Sequence, residues 1–433
     1  MPKSDDIQAI SPYVTPTKND NKNLSDNSFI DENAIDLIEF EANILCDADA
    51  FDSFDTEENS GTKLSLAVKK RNDALVENTG ASITATATEN LYQTACNDIL
   101  SGTNNYNLYA GNAVKSLLPL FTEGYLHDVS DSEYIDTQNE WYHRNVMDEL
   151  AFYGKQYLIP SYATEVLQDA KVLVFNRDAM PKLEKTISEI ATHGELTFKS
   201  ILSYCKTAYY EHNSGDLFYG VSYSDSDILP MYFGLGGSYL HTDTENVTAF
   251  PLSQMNTLLD SISSFVESEY SYNCNILGKI PSLLYVARLS DIPMLRQNGN
   301  VGILPLPKAS AECSYTSYID LASATMLAIP ENATDKEKLE YFTDRLAYHS
   351  YEHMKPYYTS LFASDNTDDK EITELIFAGA TSSIDALFGY GGIDELLATE
   401  VHEGDAQFTI KYYERKALYD KALSIIKKRF ESQ

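Results

Sequence analysis

Apolar positions become dense only after residue 34, and from there on they follow helical or strand spacing. Residues 1–34 are rich in Asn, Asp, Ser, Lys and Pro, which predicts a flexible tether with too few apolar side chains to bury. The segment "IDLIEFEANIL" predicts a first strand. The segment "TKLSLAVKKRNDALVENTG" predicts a helix that ends at Gly80, and the alternation in "ASITATAT" predicts a second strand.

Helical and strand patterns continue to alternate towards the C-terminus. Helices are predicted in "ENLYQTACNDILSG", "AVKSLLPLFTEGYLHDVS", "LTFKSILSYCKTAYYEH" and "TIKYYERKALYDKALSIIKKRFESQ". Thr197 is predicted to cap the third of these helices. Strands are predicted in "YNLYAGNA", "KQYLIPSY" and "KVLVFNRDAM". This order predicts layered α/β structure in which the strands are mostly parallel.

The charge balance narrows the possible partners. The chain of 433 residues carries 32 Lys and Arg against 65 Asp and Glu, a formal net charge of −33. Such a field repels nucleic acids, anionic lipid headgroups and most anionic ligands. Five scattered cysteines lack the spacing of a metal or redox motif, so we expect mostly buried, reduced thiols.

One motif raises a metal hypothesis. His349, Glu352 and His353 form an H-x-x-E-H pattern, which one class of zinc proteases uses. We predict that they lie on a helix that begins at Thr334 with a capping box and stops at Pro356. The pattern singles out no third protein ligand elsewhere, so we favour half-buried histidines on a helix face without a metal.

Other enzyme motifs are missing from the sequence. The glycines of "GLGGS" lack dinucleotide or phosphate-loop spacing, and no G-x-S-x-G is present. No pair of carboxylates stands out as a glycosidase acid and nucleophile. We therefore expect no catalytic residues and no cofactor.

Five stretches carry a family resemblance when they are taken in order. They are "AVKKRNDALVENTGASI", "LLPLFTEGYLHDVSDSEYID", "YGKQYLIPSYATEVLQDAKVLVFNRDAM", "NVGILPLPKAS" and "SATMLAIPENATDKEKLEYFTDRLAYHSYEHMKPYY". Together they span about residues 60 to 360, and in this order they resemble the extracellular solute-binding proteins of bacterial ABC importers, in the sugar-binding branch found in Gram-positive bacteria. The resemblance implies a two-lobe, periplasmic-binding-protein-like α/β fold of type II, with the ligand in a cleft between lobes joined by hinge crossings.

The resemblance also implies lobe boundaries and partners. Lobe 1 is expected from residues 35–160 plus 316–356, and lobe 2 from 161–315 plus 357–433. A non-enzymatic monomer would capture a small solute, a mono- or oligosaccharide, for an importer's membrane subunits. The expected location is the cell surface, as a lipoprotein. The family's leader and anchor cysteine are not in this sequence, and the tether would be what remains after their removal.

Candidate ligand contacts follow from the same resemblance, at strand ends and crossings where rings could stack on sugars and polar groups could bind hydroxyls. They are Tyr109, Asn112, Trp141, Tyr162, Glu165, Tyr232, Tyr315, Tyr318, Asp385, Phe388 and Tyr390. Two alternatives stay open. One is a zinc-dependent hydrolase built on the H-x-x-E-H at 349–353, and the other is a surface receptor with the same fold but no role in transport.

Overall fold

The computed structural model describes residues 34–55, 61–151, 154–212, 217–242, 247–274, 276, 278–363, 367–383, 387, 390–402 and 405–431. Its strands are β1 (Glu41–Asp47), β2 (Ser82–Thr88), β3 (Leu108–Asn112), β4 (Lys171–Asn176), β5 (Tyr219–Tyr223), β6 (Leu240–Thr242), β7 (Val247–Ala249), β8 (Ser271–Asn273), β9 (Ser282–Arg288), β10 (Val301–Leu304), β11 (Ser317–Tyr318), β12 (Thr325–Ala328) and β13 (Ala380–Thr381).

Helices connect and cover these strands. They are α1 (Lys63–Thr79), α2 (Leu91–Ser101), α3 (Leu118–Thr122), α4 (Arg144–Leu150), α5 (Ile187–Thr192), α6 (Phe198–His212), α7 (Ile228–Gly234), α8 (Leu252–Val266), α9 (Ile292–Asn298), α10 (Lys336–Ala363), α11 (Thr367–Ala378), α12 (Ile393–Glu400) and α13 (Asp405–Glu431). Short 3₁₀ turns lie at Ala48–Ser53, Val166–Asp169, Arg177–Ala179, Asp225–Asp227, Leu289–Asp291 and Tyr390–Gly392, and a π-turn lies at Ala113–Leu117.

The first sheet has the strand order β12-β3-β1-β2. Parallel pairing sets Ile44 of β1 opposite Ala85 of β2 and Leu108 of β3. The last strand, β12, runs antiparallel to β3, with Leu327 opposite Ala110. We call this sheet and the helices packed on it the first lobe.

The second sheet, with its helices the second lobe, has the order β10-β4-β9-β5-β8. Strand β4 is antiparallel to both of its neighbours, with Val174 opposite Tyr285 and Ile303. Strand β5 is parallel to β8 and β9. Among the described strand pairs of all sheets, five are parallel and four are antiparallel, so the expectation of mostly parallel strands is confirmed by a narrow margin. In each sheet the strand that runs against its neighbours, β12 or β4, is the one that follows a crossing from the other sheet.

Two crossings between the sheets lie side by side. Ile159 on the first crossing pairs with Leu327, and Ala170 pairs with Ile319 on the second. The segment "KQYLIPSY" is thus an extended crossing and not the strand that its pattern predicted. Pro160 has no N–H to donate to a ladder, which confines this segment to isolated bridges. The residue boundaries expected for the two lobes stay a prediction.

Helix α10 corrects the prediction for the H-x-x-E-H segment. It begins at Lys336, after Asp335 at φ +53°, and not at Thr334. It also continues through Pro356 to Ala363. Beyond the proline, Tyr358 and Phe362 are almost fully buried, so tertiary packing outweighs the missing hydrogen bond of the proline.

Local signals elsewhere are confirmed. Gly80 ends α1 in the left-handed conformation at φ +76°, which glycine adopts without the steric cost of a Cβ atom. Thr197 Oγ1 accepts a hydrogen bond from the Ser200 amide at 3.2 Å at the start of α6, as a capping residue does.

Two apolar clusters form the core. One packs a face of the first sheet against the N-terminal half of α10, including Leu339, Phe342 and Leu346. The other begins on the opposite face and extends through the second sheet, and it includes Tyr358 and Phe362 of the C-terminal half of α10. This helix therefore joins the two lobes as a third, helical crossing.

The cysteines behave as expected from their spacing. All five are free thiols, with Cys46, Cys96 and Cys205 buried and Cys274 and Cys313 half-buried. In the part of the chain that the structure describes, no helix has both the length and the apolar character needed to cross a bilayer.

Replacing Pro356 by Ala should stabilise the protein by about 2 kcal/mol. Relief of the clash and recovery of a helical hydrogen bond are worth about 3 kcal/mol, and the greater freedom of the unfolded chain offsets up to about 1 kcal/mol. Urea denaturation measures the difference. The matched control is Pro119→Ala, since Pro119 lies in the first turn of α3, where its missing N–H needs no partner. A gain no larger for Pro356→Ala than for Pro119→Ala would contradict a continuous helix through residue 356.

Candidate functional site

A cavity of about 230 Å³ lies where the two crossings meet loops from both sheets. Its walls come from four separate parts of the chain. They are Asp49, Ala50 and Ser53, then Glu165, Gln168 and Asp169, then Arg288 and Ser290, and finally Ser323 and Thr325.

Backbone bridges at both ends of each crossing hold in place the residues that the crossings contribute to the cavity wall. Glu165, Gln168 and Asp169 lie between Ile159 and Ala170, which are bridged to Leu327 in the first sheet's last strand and to Ile319 on the second crossing. Ser323 and Thr325 lie between these two bridge partners, Ile319 and Leu327. The polar side chains are therefore held on a short, anchored piece of backbone, which preorganises a binding site.

The remaining walls come from the ends of strands. Asp49 follows β1 in a 3₁₀ turn. Asp47, at the end of β1, accepts hydrogen bonds from the Asn112 amide at 2.7 Å and from Ser116 Oγ at 2.8 Å, which secures this turn. Arg288 is the last residue of β9. The carboxyl ends of parallel strands in open α/β sheets are the usual place for ligands.

The cavity is strongly acidic. Burial, together with the neighbouring carboxylates of Asp169, Asp52 and Asp49, raises the pKa of Glu165 to about 7, although a hydrogen bond from Gln168 opposes the shift. Burial likewise raises the pKa of Asp169 to about 6, although a hydrogen bond from Ser323 and the charges of Arg288 and Lys171 oppose the shift. Raised carboxyl pKa values that result from burial in a cleft beside like charges point to a functional site.

Arg288 is the cation of the cavity wall. Its Nη1 lies 3.8 Å from Asp169 Oδ1, and its Nε lies 3.6 Å from Asp291 Oδ2. The side chain is 45% exposed, so these contacts are loose and the guanidinium can turn towards a bound molecule.

A buried carboxylate elsewhere shows the contrast with Glu165. Asp369 on α11 is 2% exposed and accepts from Arg177 Nη2 at 2.6 Å and from Arg296 Nη2 at 2.8 Å. Both of its oxygens are thus matched by cations, as structural carboxylates in protein interiors usually are. Glu165 lies instead among other carboxylates, which is costly unless a ligand completes the site.

The side chains of the cavity wall can form many hydrogen bonds, but the described ones offer no ring that could stack on a ligand. Serine and threonine hydroxyls, the Gln168 amide, the Arg288 guanidinium and the carboxylates offer both donors and acceptors. No aromatic ring is among the described residues that line it. The arrangement suits a small, polar, hydroxylated molecule held by hydrogen bonds.

Of the side chains predicted to contact ligand, Glu165 lies on this cavity. Asn112 is close by in the fold but acts as a cap, since its Oδ1 accepts from the Val114 and Lys115 amides and its Nδ2 donates to the Ala322 carbonyl. Its side chain is engaged in holding the end of β3 against the second crossing.

Five of the six predicted tyrosines lie in core contacts and do not line the cavity. Tyr109 is fully buried on β3, and Tyr162 packs between His143 and Tyr351. Tyr232 donates to the Ser238 carbonyl at 2.7 Å. Tyr315 accepts from the Leu196 amide at 3.0 Å, and Tyr318 stacks on Phe233 at 4.6 Å.

Trp141 is held against α10. Its Nε1 donates to Asp344 Oδ1 at 2.8 Å, and its ring meets Tyr348 edge-on at 5.3 Å. Asp385 and Phe388 lie outside the described residues, and Tyr390 begins a short 3₁₀ turn. Whether any of these predicted side chains touches a ligand stays a prediction.

Sequence reasoning did not single out Asp49, Gln168, Asp169 or Arg288. A usable signal was present for Asp49, because the acidic run "DADAFDSFD" directly follows the first predicted strand. Gln168 and Asp169 stand in an ordinary turn, and Arg288 ends an ordinary strand. Their convergence depends on how the crossings pair.

The H-x-x-E-H residues lie on another surface, in the seam between α10 and α1. Nitrogen and oxygen atoms of His349, Glu352 and His353 lie within 4.8 Å of one another. His349 is 3% exposed, and its Nδ1 is 3.1 Å from Glu352 Oε2. Burial lowers the pKa of both imidazoles. None of the three lines the cavity between the lobes.

Replacing Glu165 by Gln should change how stability depends on pH in the absence of ligand. The raised pKa means that Glu165 favours folding fully below about 4.5 and that this contribution disappears as the pH rises through about 7. A glutamine cannot ionise, so from pH 4.5 to 8 the variant should gain roughly 3 kcal/mol relative to the parent protein. Urea denaturation across this range measures the gain. Glu371→Gln, at an exposed carboxylate of α11, is the control, and parallel curves for all three proteins would contradict the prediction.

Comparison with known proteins defines the fold. No protein-family model matches the sequence, and no curated protein matches it significantly. The solved structure of the cyclic alpha-maltosyl-1,6-maltose binding protein from Arthrobacter globiformis is similar, with a TM-score of 0.56 and 13% identity over 90% of this chain and 98% of that chain. An uncharacterised protein from Listeria monocytogenes EGD-e has a TM-score of 0.58 and 14% identity over 88% of this chain and 99% of that chain.

At such low identity these likenesses establish architecture alone. They extend over nearly the whole of both chains, so the similarity concerns the complete arrangement of two sheets and their crossings. The chain has the two-lobe α/β fold of solute-binding proteins, as its sequence predicted.

Proposed function

We propose that the protein binds a small carbohydrate in the cavity between its lobes and delivers it to an ABC importer. The observation that carries this proposal is the cavity itself, whose polar walls come from both sheets and from both crossings. A solute bound there would touch Asp49 on the first lobe and Arg288 on the second at once.

Contact with both lobes gives binding a mechanical consequence. A ligand can shift an open–closed equilibrium only by its differential affinity for the two states. A solute that bridges Asp49, Glu165 and Arg288 gains contacts when the lobes approach, so it favours closure about the crossings.

The chemistry of the wall favours a neutral or cationic solute with several hydroxyl groups. Carboxylates and the Gln168 amide accept hydrogen bonds from hydroxyls, while Arg288 and the serines donate to them. Three carboxylates face one guanidinium, so an anionic sugar such as a uronic acid would be repelled. The similar protein from Arthrobacter globiformis is a maltosyl-maltose binding protein, which supports a carbohydrate.

Size limits the ligand further. The cavity of about 230 Å³ is smaller than the ~300–1,000 Å³ of sites for drug-sized molecules. We therefore propose that it receives a monosaccharide or one end of a longer saccharide.

The remaining parts of the proposal concern the setting of the protein. We propose that it acts as a monomer, outside the cell and anchored by lipid, and that the membrane subunits of an importer receive the loaded form. The role of binding protein rather than enzyme agrees with the function stated in the name of the similar maltosyl-maltose binding protein. No observation on the described residues favours a hydrolase over this role.

A thermal-shift screen with mono- and disaccharides tests the binding function. A ligand at 100 times its dissociation constant should stabilise the folded protein by about 2.7 kcal/mol, which raises the melting temperature by a few degrees. Neutral sugars and amino sugars should stabilise more than uronic acids. For the best ligand, Glu165→Gln and Arg288→Ala should each weaken binding at least about tenfold by isothermal titration calorimetry, because each removes a charged hydrogen-bonding group.

Two controls keep this screen specific. Tyr109→Phe changes a predicted contact that the structure buries away from the cavity, and it should leave binding unchanged. A ligand whose affinity falls with Tyr109→Phe but not with Glu165→Gln would move the site elsewhere. If no carbohydrate raises the melting temperature, another class of solute replaces carbohydrate in the proposal.

A further inference from the structure

A cluster of three metal-binding side chains remains unexplained by carbohydrate binding. From its geometry we infer that His349, Glu352 and His353 on α10 form a binding site for one divalent transition-metal ion of the Zn²⁺ class. The inference does not depend on the proposed function, because none of these residues lines the cavity between the lobes.

Helix geometry brings the three donors together. Residues three and four positions apart lie on one face of a helix, so His349, Glu352 and His353 point in a common direction. Their donor atoms all lie within 4.8 Å of one another, and His349 Nδ1 is 3.1 Å from Glu352 Oε2. Small side-chain rotations would bring two nitrogens and one oxygen to the ~2.0–2.2 Å bond lengths that zinc requires.

A fourth side chain already orients the buried histidine. Asn78, near the end of α1, has its Nδ2 at 3.4 Å from His349 Nε2. Rotation of the amide by half a turn would let its oxygen accept a hydrogen bond from the Nε2–H group and leave Nδ1 free for the metal. A hydrogen bond of this kind fixes the tautomer and orientation of metal-bound histidines.

The donor set selects the class of metal. Two imidazoles and one carboxylate suit Zn²⁺, Ni²⁺ or Cu²⁺, whereas Mg²⁺ and Ca²⁺ prefer sites made of oxygen. Glu352 has a side chain that is 41% exposed, so water can complete the coordination shell.

Neighbouring charges limit the affinity. Lys70 and Arg71 face His353, and Arg345 faces His349, although Arg345 is paired with Asp344. With one anionic ligand and these cations nearby, the site should bind zinc more weakly than four-ligand structural sites do.

Zinc binding to the full-length, tag-free protein tests the inference. Isothermal titration calorimetry with Zn²⁺ alone should show one bound zinc ion per chain. Added Co²⁺ should give the visible absorption bands that are typical of nitrogen and oxygen ligands. His353→Ala, at a half-buried position, and Glu352→Gln should each weaken Zn²⁺ binding at least about tenfold. Unchanged circular dichroism and melting temperature without metal would show that both variants fold.

The control is His193→Ala, which removes an exposed histidine at the end of α5 and should leave the zinc affinity unchanged. Absence of a stoichiometric zinc site in the parent protein would overturn the inference. Binding that survives both His353→Ala and Glu352→Gln would overturn it equally, because the metal would then lie elsewhere. Neither result bears on the carbohydrate screen, which is performed with chelator present.

Discussion

The pairing of the two crossings between the sheets is the constraint on which the rest of the structure depends. The Ile159 amide donates to the Leu327 carbonyl at 2.8 Å, and Ala170 pairs with Ile319 on the other side of the same junction. All four residues are fully buried, so water does not compete for these hydrogen bonds. They determine that β4 and β12 run against their neighbours and that each lobe is assembled from separate parts of the chain.

Between these bridged residues, the backbone of the two crossings carries polar side chains that line the cavity. The fold pairs Asp369 with two arginines, yet it leaves Glu165 among carboxylates with a raised pKa. Departures of this kind from the usual pairing of buried carboxylates are expected at functional or strained sites. The energetic penalty at Glu165 is tolerated because the anchored crossings and the large apolar cores hold the surrounding structure.

Helix α10 links this junction to the second candidate site. Its N-terminal half packs in one core with Phe342, and its C-terminal half packs in the other with Phe362. His349 lies between these halves, beside Asn78 of α1. The helix thus belongs to both lobes, whereas its histidines and the cavity have separate sets of side chains.

The sequence by itself determined the elements whose signals are local. Gly80 ends a helix, Thr197 caps one, and the apolar run of "KVLVF" forms a buried strand, since each depends on backbone geometry or on neighbours a few residues away. Only the tertiary structure decided that Pro356 lies within a helix, because the burial of Tyr358 and Phe362 outweighs the proline's local preference. The tertiary structure also decided that Tyr109 belongs to the core, whereas Asp49, Asp169 and Arg288 line the same cavity. Aromatic and acidic side chains suit a core, a surface or a site equally well, and the long-range pairing of the crossings makes that choice.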